Sequence, residues 1–231
     1  GDLTPTQKLR RNVVYERFDD YFDPSRMPNF ERLVYEIVPD ESSRLAGMQT
    51  GALDMAYGLT FSSAEQLEGS NGVRIVEVPD TALAYIFLLD QNFPDEESPL
   101  LDPDVRRALL LAIDREAIAA SLFGGYARVP DSIAPPTMLG YRETGETAPY
   151  DPDEAKRLLE EAGASGITLT LNSYNSTPSV PDVVRLAETI AAFWEAVGLD
   201  VELNVADSAT ILPQNPRASS SSTTSIIVSP V

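Results

Sequence analysis

Three helix signals follow one another between Pro99 and Gly163, and no other part of the sequence constrains the fold as strongly. Asp102 before Pro103 predicts the start of the first helix, because an aspartate caps free helix amides and a proline loses nothing at the first helical position. Asp114 predicts the start of the second helix. This helix is expected to end at Gly124-Gly125, because a left-handed residue commonly follows a helix.

The third helix is predicted from Asp151 to Gly163. Glu154 stands three residues after Asp151, a spacing typical of a capping box, in which each side chain accepts a hydrogen bond from the other residue's backbone amide. Both this helix and the first have an apolar side that is expected to face a core. The positions concerned are Leu158 and Leu159 in the third helix, and Val105, Leu109 and Ala112 in the first.

A strand–helix–strand pattern precedes this helical stretch. We predict strands over Leu33–Val38 and Leu53–Tyr57, with a helix over Glu41–Thr50 between them. Such a unit predicts parallel strands joined by a right-handed crossover. A short helix with a capping box at Ser62–Glu65 follows, and then a strand over Val73–Val78.

The remaining strands lie further along the chain. Ala82–Leu89 is almost continuously apolar, which predicts a strand buried on both faces. A second strand–helix–strand pattern has strands over Ile167–Leu171 and Val201–Val205 and a helix over Pro181–Val197. Trp194 falls in the apolar stripe of that helix, so we interpret it as a core residue and not as a platform for a ligand.

A polar segment follows the strand Ile167–Leu171, at the carboxyl end where ligands of α/β domains bind. We predict that side chains of this loop bind a ligand. They are Asn172, Ser173, Tyr174, Asn175 and Thr177.

The sequence has neither cysteine nor histidine among its 231 residues. This composition excludes disulfides, metal sites built on thiolate or histidine, and catalysis by Ser-His-Asp or Cys-His groups. The sequence also has no DxDxDG calcium pattern and no phosphate loop. We therefore predict no metal, no cofactor and no enzymatic activity, with a glycosidase that uses two carboxylates as the remaining enzymatic alternative.

The chain is strongly acidic, with 36 acidic residues, 17 basic residues and a formal net charge of −19. Because this charge repels nucleic acid, we exclude nucleic acid as a partner. Among the basic residues only Lys8 and Lys156 are lysines. Two interpretations remain open, namely adaptation to a salty environment and a GC-rich genome that favours arginine codons.

The order of these segments resembles one protein family, the large-lobe solute-binding proteins of ABC importers, in the branch for peptides, nickel complexes and oligosaccharides. The matching pieces begin with VRRAL and AIDREAI in the paired helices, then the GGYA turn, the PPT loop and YDPDEAKRLLEEAG. Others lie upstream and downstream, and extend the resemblance over roughly residues 12–207. They are NVVYERFDDYF, LVYEIVPDESSRLAGMQTGALD, ALAYIFLLDQN and FWEAVGLDVELNV.

The resemblance implies an α/β, periplasmic-binding-protein-like two-lobed fold (type II, large-lobe cluster), of which this chain is expected to be incomplete. Residues 1–80 are expected to be part of the first lobe, and residues 81–212 part of the second. Residues 213–231 are predicted to be a low-complexity tail, in which Ile226–Val228 can form one short strand. The resemblance itself is expected to stop at Asp207.

The resemblance also implies a function. In similar proteins the strand Ala82–Leu89 connects the two lobes, so Tyr85 and Asn92 are expected close to the ligand cleft; a buried core tyrosine and a polar strand end are the open alternatives. The implied function is the capture of a peptide-like or oligosaccharide solute by a monomeric periplasmic or cell-surface protein, which delivers it to an ABC transporter permease. The alternative is the ligand-sensing domain of a regulator with the same fold.

The class of solute is predicted from one loop position. Family members that bind dipeptides have an arginine before a proline in the loop after Asn172, and this arginine holds the carboxylate of the ligand. In this sequence Thr177 precedes Pro178 at the matching place. Because threonine cannot form that paired interaction, we expect a longer peptide or an uncharged solute.

We predict that added salt stabilises the protein, because a net charge of −19 stores self-repulsion that counterions screen. The measurement is the melting temperature in dilute buffer and in concentrated potassium chloride. An unchanged or lower melting temperature in high salt would contradict adaptation to salt and leave codon bias.

Overall fold

The computed structural model describes residues 32–77, 84–88, 98–132, 136, 139–143, 147–175, 180, 182–207, 210 and 224–230. By compactness the chain divides into two units, residues 1–39 and residues 40–231. The described residues of the first unit, 32–39, form neither helix nor strand. All elements named below belong to the second unit.

The described elements are helices and strands, and a strict strand–helix–strand alternation occurs only from β2 to β3. The helices are α1 (Glu41–Thr50), α2 (Phe61–Leu67), α3 (Pro103–Leu111), α4 (Arg115–Ser121), α5 (Pro152–Glu161) and α6 (Val183–Ala196), with a single 3₁₀ turn at Pro99–Leu101. The strands are β1 (Ala84–Leu88), β2 (Thr168–Tyr174), β3 (Asp200–Ala206) and β4 (Thr224–Pro230).

The strands form one sheet in the order β1-β4-β2-β3. β2 and β3 are parallel, and α6 connects them, so the second predicted strand–helix–strand unit is confirmed. β4 is antiparallel to β1 and parallel to β2. The segment 213–231 therefore contains a strand that is longer than the predicted Ile226–Val228 and that joins β1 to the parallel pair.

Three strands predicted before β1 are wrong. Two belong to the first strand–helix–strand unit, and the third is the later strand over Val73–Val78. Residues 33–38, 53–57 and 73–77 are not strands, although α1 lies where it was predicted. Their apolar side chains are exposed, for example Ile37 at 90%, Met55 at 77% and Val76 at 62%. A strand exists only through the ladder it shares with a neighbour, and the described residues provide no neighbour for these segments. Val78, at the end of the third, lies outside the described residues.

The three helix signals between Pro99 and Gly163 are confirmed. The side chains of Asp102, Asp114 and Asp151 accept hydrogen bonds from the backbone amides of Asp104 (2.8 Å), Ala117 (2.9 Å) and Glu154 (3.0 Å). After α4, Gly124 and Gly125 have φ values of 56° and 85°, as the predicted helix end requires.

The reciprocal half of the capping box in α5 is wrong. The backbone amide of Asp151 donates to the carbonyl oxygen of Leu111 (2.9 Å), so it is not available to Glu154. The carboxylate of Glu154 instead pairs with Arg157 (2.6 Å). The competing acceptor, Leu111 at the end of α3, is remote in sequence, so the local motif could not reveal it.

The main apolar core lies between the sheet and the helices α3–α6, and its fully buried members fall between Leu100 and Leu199. Trp194 is 1% exposed, and its indole Nε1 donates a hydrogen bond to the carbonyl oxygen of Leu109 (3.0 Å). Leu109 lies in the last turn of α3, where carbonyl groups lack partners within the helix. The interpretation of Trp194 as a core residue is confirmed.

We predict that Trp194→Phe lowers the free energy of unfolding by about 1–3 kcal/mol, because the buried carbonyl of Leu109 then loses its donor. The measurement is urea denaturation followed by circular dichroism. Phe193→Leu, which changes the half-buried neighbouring residue, is the control and is expected to cost less. Equal effects of the two variants would contradict a special role of the indole.

Candidate ligand-binding site

β2 presents two chemically different faces. Leu169, Leu171 and Ser173 have no exposed surface, and the two leucines belong to the same core as Trp194 of α6. The alternate positions carry polar side chains on the opposite face, because successive residues of a strand point to opposite sides of a sheet. They are Thr168, Thr170, Asn172 and Tyr174.

A pair of amides joins β2 and β3 on this polar face. Asn172 and Asn204 are partners in the parallel register, and Nδ2 of Asn204 donates to Oδ1 of Asn172 (2.8 Å). Asn172 is only 9% exposed, so the bond also fixes the orientation of a largely buried amide. An amide both donates and accepts hydrogen bonds, which makes this pair suitable for peptide groups or sugar hydroxyls.

The strand β2 is longer than predicted, so part of the predicted loop is wrong. Asn172, Ser173 and Tyr174 lie within β2, and the loop begins at Asn175, whose backbone amide still donates to the carbonyl oxygen of Ala206 (2.9 Å). The apolar pattern stops at Leu171, but backbone pairing with β3 continues to Tyr174. Pairing of this kind depends on the neighbouring strand and not on local hydrophobicity.

This extension separates the predicted site residues. Ser173 is 0% exposed and its hydroxyl donates to the carbonyl oxygen of Tyr174 (3.2 Å), so it lies on the helix-covered face and not in the candidate site. Tyr174 is half-buried and Asn175 is exposed, so both are accessible at the end of the strand.

Three predicted site residues remain, namely Tyr85, Asn92 and Thr177. Thr177 and Asn92 lie outside the described residues. Tyr85 lies in β1, where its backbone is paired in register with Ser229 of β4. Sequence analysis missed Asn204, and the available signal was a polar residue within the apolar alternation of the strand Val201–Val205.

Asp182 stands at the start of α6, which begins two residues later than predicted. It is the one non-glycine residue with positive φ (61°) in the part of the chain that the structure describes, and its side chain makes no capping hydrogen bond. Burial raises the pKa of its carboxyl group; Arg185 lowers it and Glu41 raises it further, with a net increase. The native structure therefore holds this carboxylate in an unfavourable environment at the start of α6.

Glu41 has the opposite behaviour. Its Oε1 accepts hydrogen bonds from the backbone amide (2.7 Å) and the hydroxyl (2.8 Å) of Thr60, the residue that caps α2. Burial raises its pKa, but these bonds and one from Ser63 outweigh burial, so the pKa is lowered. The predicted capping box at Ser62–Glu65 is wrong, because Thr60 is the cap and Glu41, from α1, takes the role of the glutamate.

The described residues contain no group of three or more acidic, histidine or cysteine residues that could hold a metal ion. In the same part of the chain, no helix has the length and apolar character needed to cross a membrane.

We predict opposite pH dependence for two variants. Asp182→Asn stabilises the protein at pH 7, because the native state no longer holds a carboxylate whose pKa it raises, and the gain disappears below about pH 3.9, where the unfolded carboxyl is also protonated. Glu41→Gln destabilises at pH 7, because the lowered pKa contributes stability above about pH 4.3 that is lost on acidification.

The measurement for both variants is urea denaturation at a series of pH values from about 3 to about 8. This range covers the titration of carboxyl groups. Glu160→Gln, at an exposed position in α5, is the control and is expected to have little effect. A destabilising Asp182→Asn at pH 7 would contradict the unfavourable environment of that carboxylate.

Comparison with known proteins assigns the chain to a family. The family model "Bacterial extracellular solute-binding proteins, family 5 Middle" matches residues 6–228. The expectation that the resemblance stops at Asp207 is therefore wrong, because the match continues into β4.

Curated relatives match most of the chain but only part of their own length. The dipeptide-binding protein of Escherichia coli (strain K12) is 29% identical over 193 residues, which are 83% of this chain and 35% of that protein. Heme-binding protein A of Haemophilus influenzae is 30% identical over 199 residues, which are 83% of this chain and 34% of that protein. The chain thus spans about a third of the length of these relatives.

Solved structures share the fold. The substrate-binding protein CtaP from Listeria monocytogenes has a TM-score of 0.74 at 21% identity, over 93% of this chain and 42% of that one. A dipeptide-binding protein from Pseudoalteromonas sp. SM9913 in complex with Met-Leu has a TM-score of 0.71 at 20% identity, over 87% of this chain and 40% of that one. The chain belongs to family 5 of the bacterial extracellular solute-binding proteins, and its α/β fold is part of the two-lobed fold of that family.

Proposed function

We propose that the protein containing this chain binds a small solute outside the cytoplasm and delivers it to the permease of an ABC importer. Membership of family 5 supports this proposal, as do relatives named for dipeptide, glutathione and heme binding. These relatives are named as binding proteins, so they give no support to the alternative of a regulator.

The observation that carries the proposal is the polar end of the β2–β3 pair. Asn172, Asn204 and Tyr174 lie on one face near the carboxyl ends of two parallel strands, and Asn175 begins the loop beyond them. Ligands of α/β domains bind at this edge of a sheet. We assign Asn172, Tyr174, Asn175 and Asn204 to solute binding, with Thr177, Tyr85 and Asn92 as further candidates from the sequence.

Reversible capture is consistent with the composition. Two lobes that close over a solute need complementary hydrogen bonds and a hinge, and no catalyst. The family consists of transport proteins that bind solutes, and we propose that this protein is likewise not an enzyme.

The chemistry of the assigned residues favours a neutral or extended solute. Amide and phenol groups can bond peptide groups and sugar hydroxyls, but they lack the positive charge that would hold a terminal carboxylate at close range. Together with threonine at position 177, this favours an oligopeptide or an oligosaccharide over a free dipeptide.

We predict that the intact protein binds tetra-alanine or maltotetraose at least roughly tenfold more tightly than Ala-Ala, because a charge-assisted bond contributes about 1.5–3 kcal/mol and none of the assigned residues carries a positive charge. Titration calorimetry with these solutes and with a nickel–histidine complex is the measurement. Tight binding of Ala-Ala that Thr177→Ala leaves unchanged would contradict the assignment of the loop.

The assigned residues are tested with the solute that binds best. Tyr174→Ala is expected to weaken its binding, whereas Thr168→Ala, at the exposed opposite end of the same strand face, is the matched control and is expected to leave it unchanged. If neither variant changes the affinity, the solute does not bind at the end of β2. If none of the solutes binds, the proposed class of solute is wrong.

A further inference from the structure

Along the described chain, the buried residues of the main core all come after β1. They lie between Leu100 and Leu199, and none of the described residues 40–77 belongs to this core. In that earlier segment, Ser63 and Leu67 of α2 are buried, and α2 is fastened to α1 through the bonds between Glu41 and Thr60. Residues 40–77 therefore lie outside the main core, although they belong to the same compact unit as the part of the chain that follows β1.

One aromatic contact joins these two parts. Phe61 is the first residue of α2, and its ring lies 5.4 Å from the ring of Tyr126, centroid to centroid, at an interplanar angle of 48°. Beneath the ring is Gly124, where an added Cβ would overlap three atoms of Phe61. We call Phe61, Gly124 and Tyr126 the aromatic seat.

The two adjacent glycines of this turn differ in whether they contact Phe61. Gly124 and Gly125 both have positive φ, and both are therefore strained by a larger residue. Only Gly124 is also in contact with Phe61, because a Cβ at Gly125 would have nothing within 4 Å. The turn is thus shaped to accept a flat ring at one position.

The partial exposure of the two rings is compatible with a contact that forms and breaks reversibly. Phe61 is half-buried and Tyr126 is 44% exposed, so parting the rings exposes a limited apolar area. An aromatic pair contributes about 0.5–1.5 kcal/mol beyond burial, which is enough to shift a balanced equilibrium without locking it. Between the same two parts of the chain, the charge of Glu41 contributes to the raised pKa of Asp182, so this charge pair opposes the contact and the ring pair favours it.

We propose that the aromatic seat is a latch between the two lobes, formed when the segment before β1 closes on the segment after it. This inference rests on the proposed function and on the predicted lobe boundary near Asp80. Its residues, Phe61 on one side and Gly124 and Tyr126 on the other, stabilise the closed form and do not touch the solute.

The test is a distance measurement between the two parts of the intact protein. This sequence has no cysteine, so Glu65→Cys in α2 and Ala120→Cys in α4, both exposed, introduce a defined pair of labelling sites. Single-molecule energy transfer then reports open and closed populations without solute and with tetra-alanine. Phe61→Ala and Gly124→Ala are expected to lower the ratio of closed to open molecules roughly two- to tenfold.

Gly125→Ala is the matched control, because it also places a side chain at a residue with positive φ but makes no contact with Phe61. It is expected to leave the populations unchanged. Equal effects of Gly124→Ala and Gly125→Ala would overturn the proposal, as would a distance distribution that neither Phe61→Ala nor Gly124→Ala alters. If Phe61→Ala does not fold, the comparison of the two glycine variants decides.

Failure of the proposed function has a different signature. If Phe61→Ala shifts the populations but no solute of the panel binds, the latch stands and the proposed class of solute fails. If a solute binds, and Phe61→Ala changes neither its affinity nor the measured distances, the latch proposal is wrong and the proposed solute binding is supported.

Discussion

The hydrogen bond from the indole of Trp194 to the carbonyl of Leu109 is the interaction on which the described structure depends most. It connects α6, the helix between the two parallel strands, with the last turn of α3. The next bond at that turn, from the amide of Asp151 to Leu111, fixes the start of α5. Two helices, α5 and α6, are therefore held at the end of α3, where a helix would otherwise leave carbonyl groups unpaired. β2 packs against the same core through Leu169 and Leu171, which leaves its polar face on the other side of the sheet.

Local signals predicted the helices, whereas pairing between distant segments decided the rest. Asp102 and Asp114 cap their helices as predicted, because a cap needs only a side chain and the next turn. Glu154 and Ser62–Glu65 fail as capping boxes because remote groups, Leu111 and Glu41, take the bonds concerned. The predicted strand 33–38 fails for a related reason, since apolar alternation indicates a surface that fits a sheet and does not supply the neighbouring strand.

The polar segment at the end of β2 was predicted from the sequence, but the boundary between strand and loop was wrong. The carboxyl end of β2 was identified from Leu171 onward, yet the backbone ladder carried the strand to Tyr174 and turned Ser173 towards the core. Asn204 escaped notice because its role depends on its register with Asn172. A single sequence contains the alternation of each strand but not the pairing that aligns two of them.

The exposed apolar residues before β1 have a practical consequence for handling the protein. Ile37, Met55 and Val76 are exposed in segments that form neither helix nor strand, and exposed apolar side chains favour association with other molecules. A preparation of these 231 residues by themselves will therefore tend to self-associate as its concentration rises. The high negative charge opposes this tendency at low ionic strength, and because salt screens that charge, association is expected to increase as salt is added.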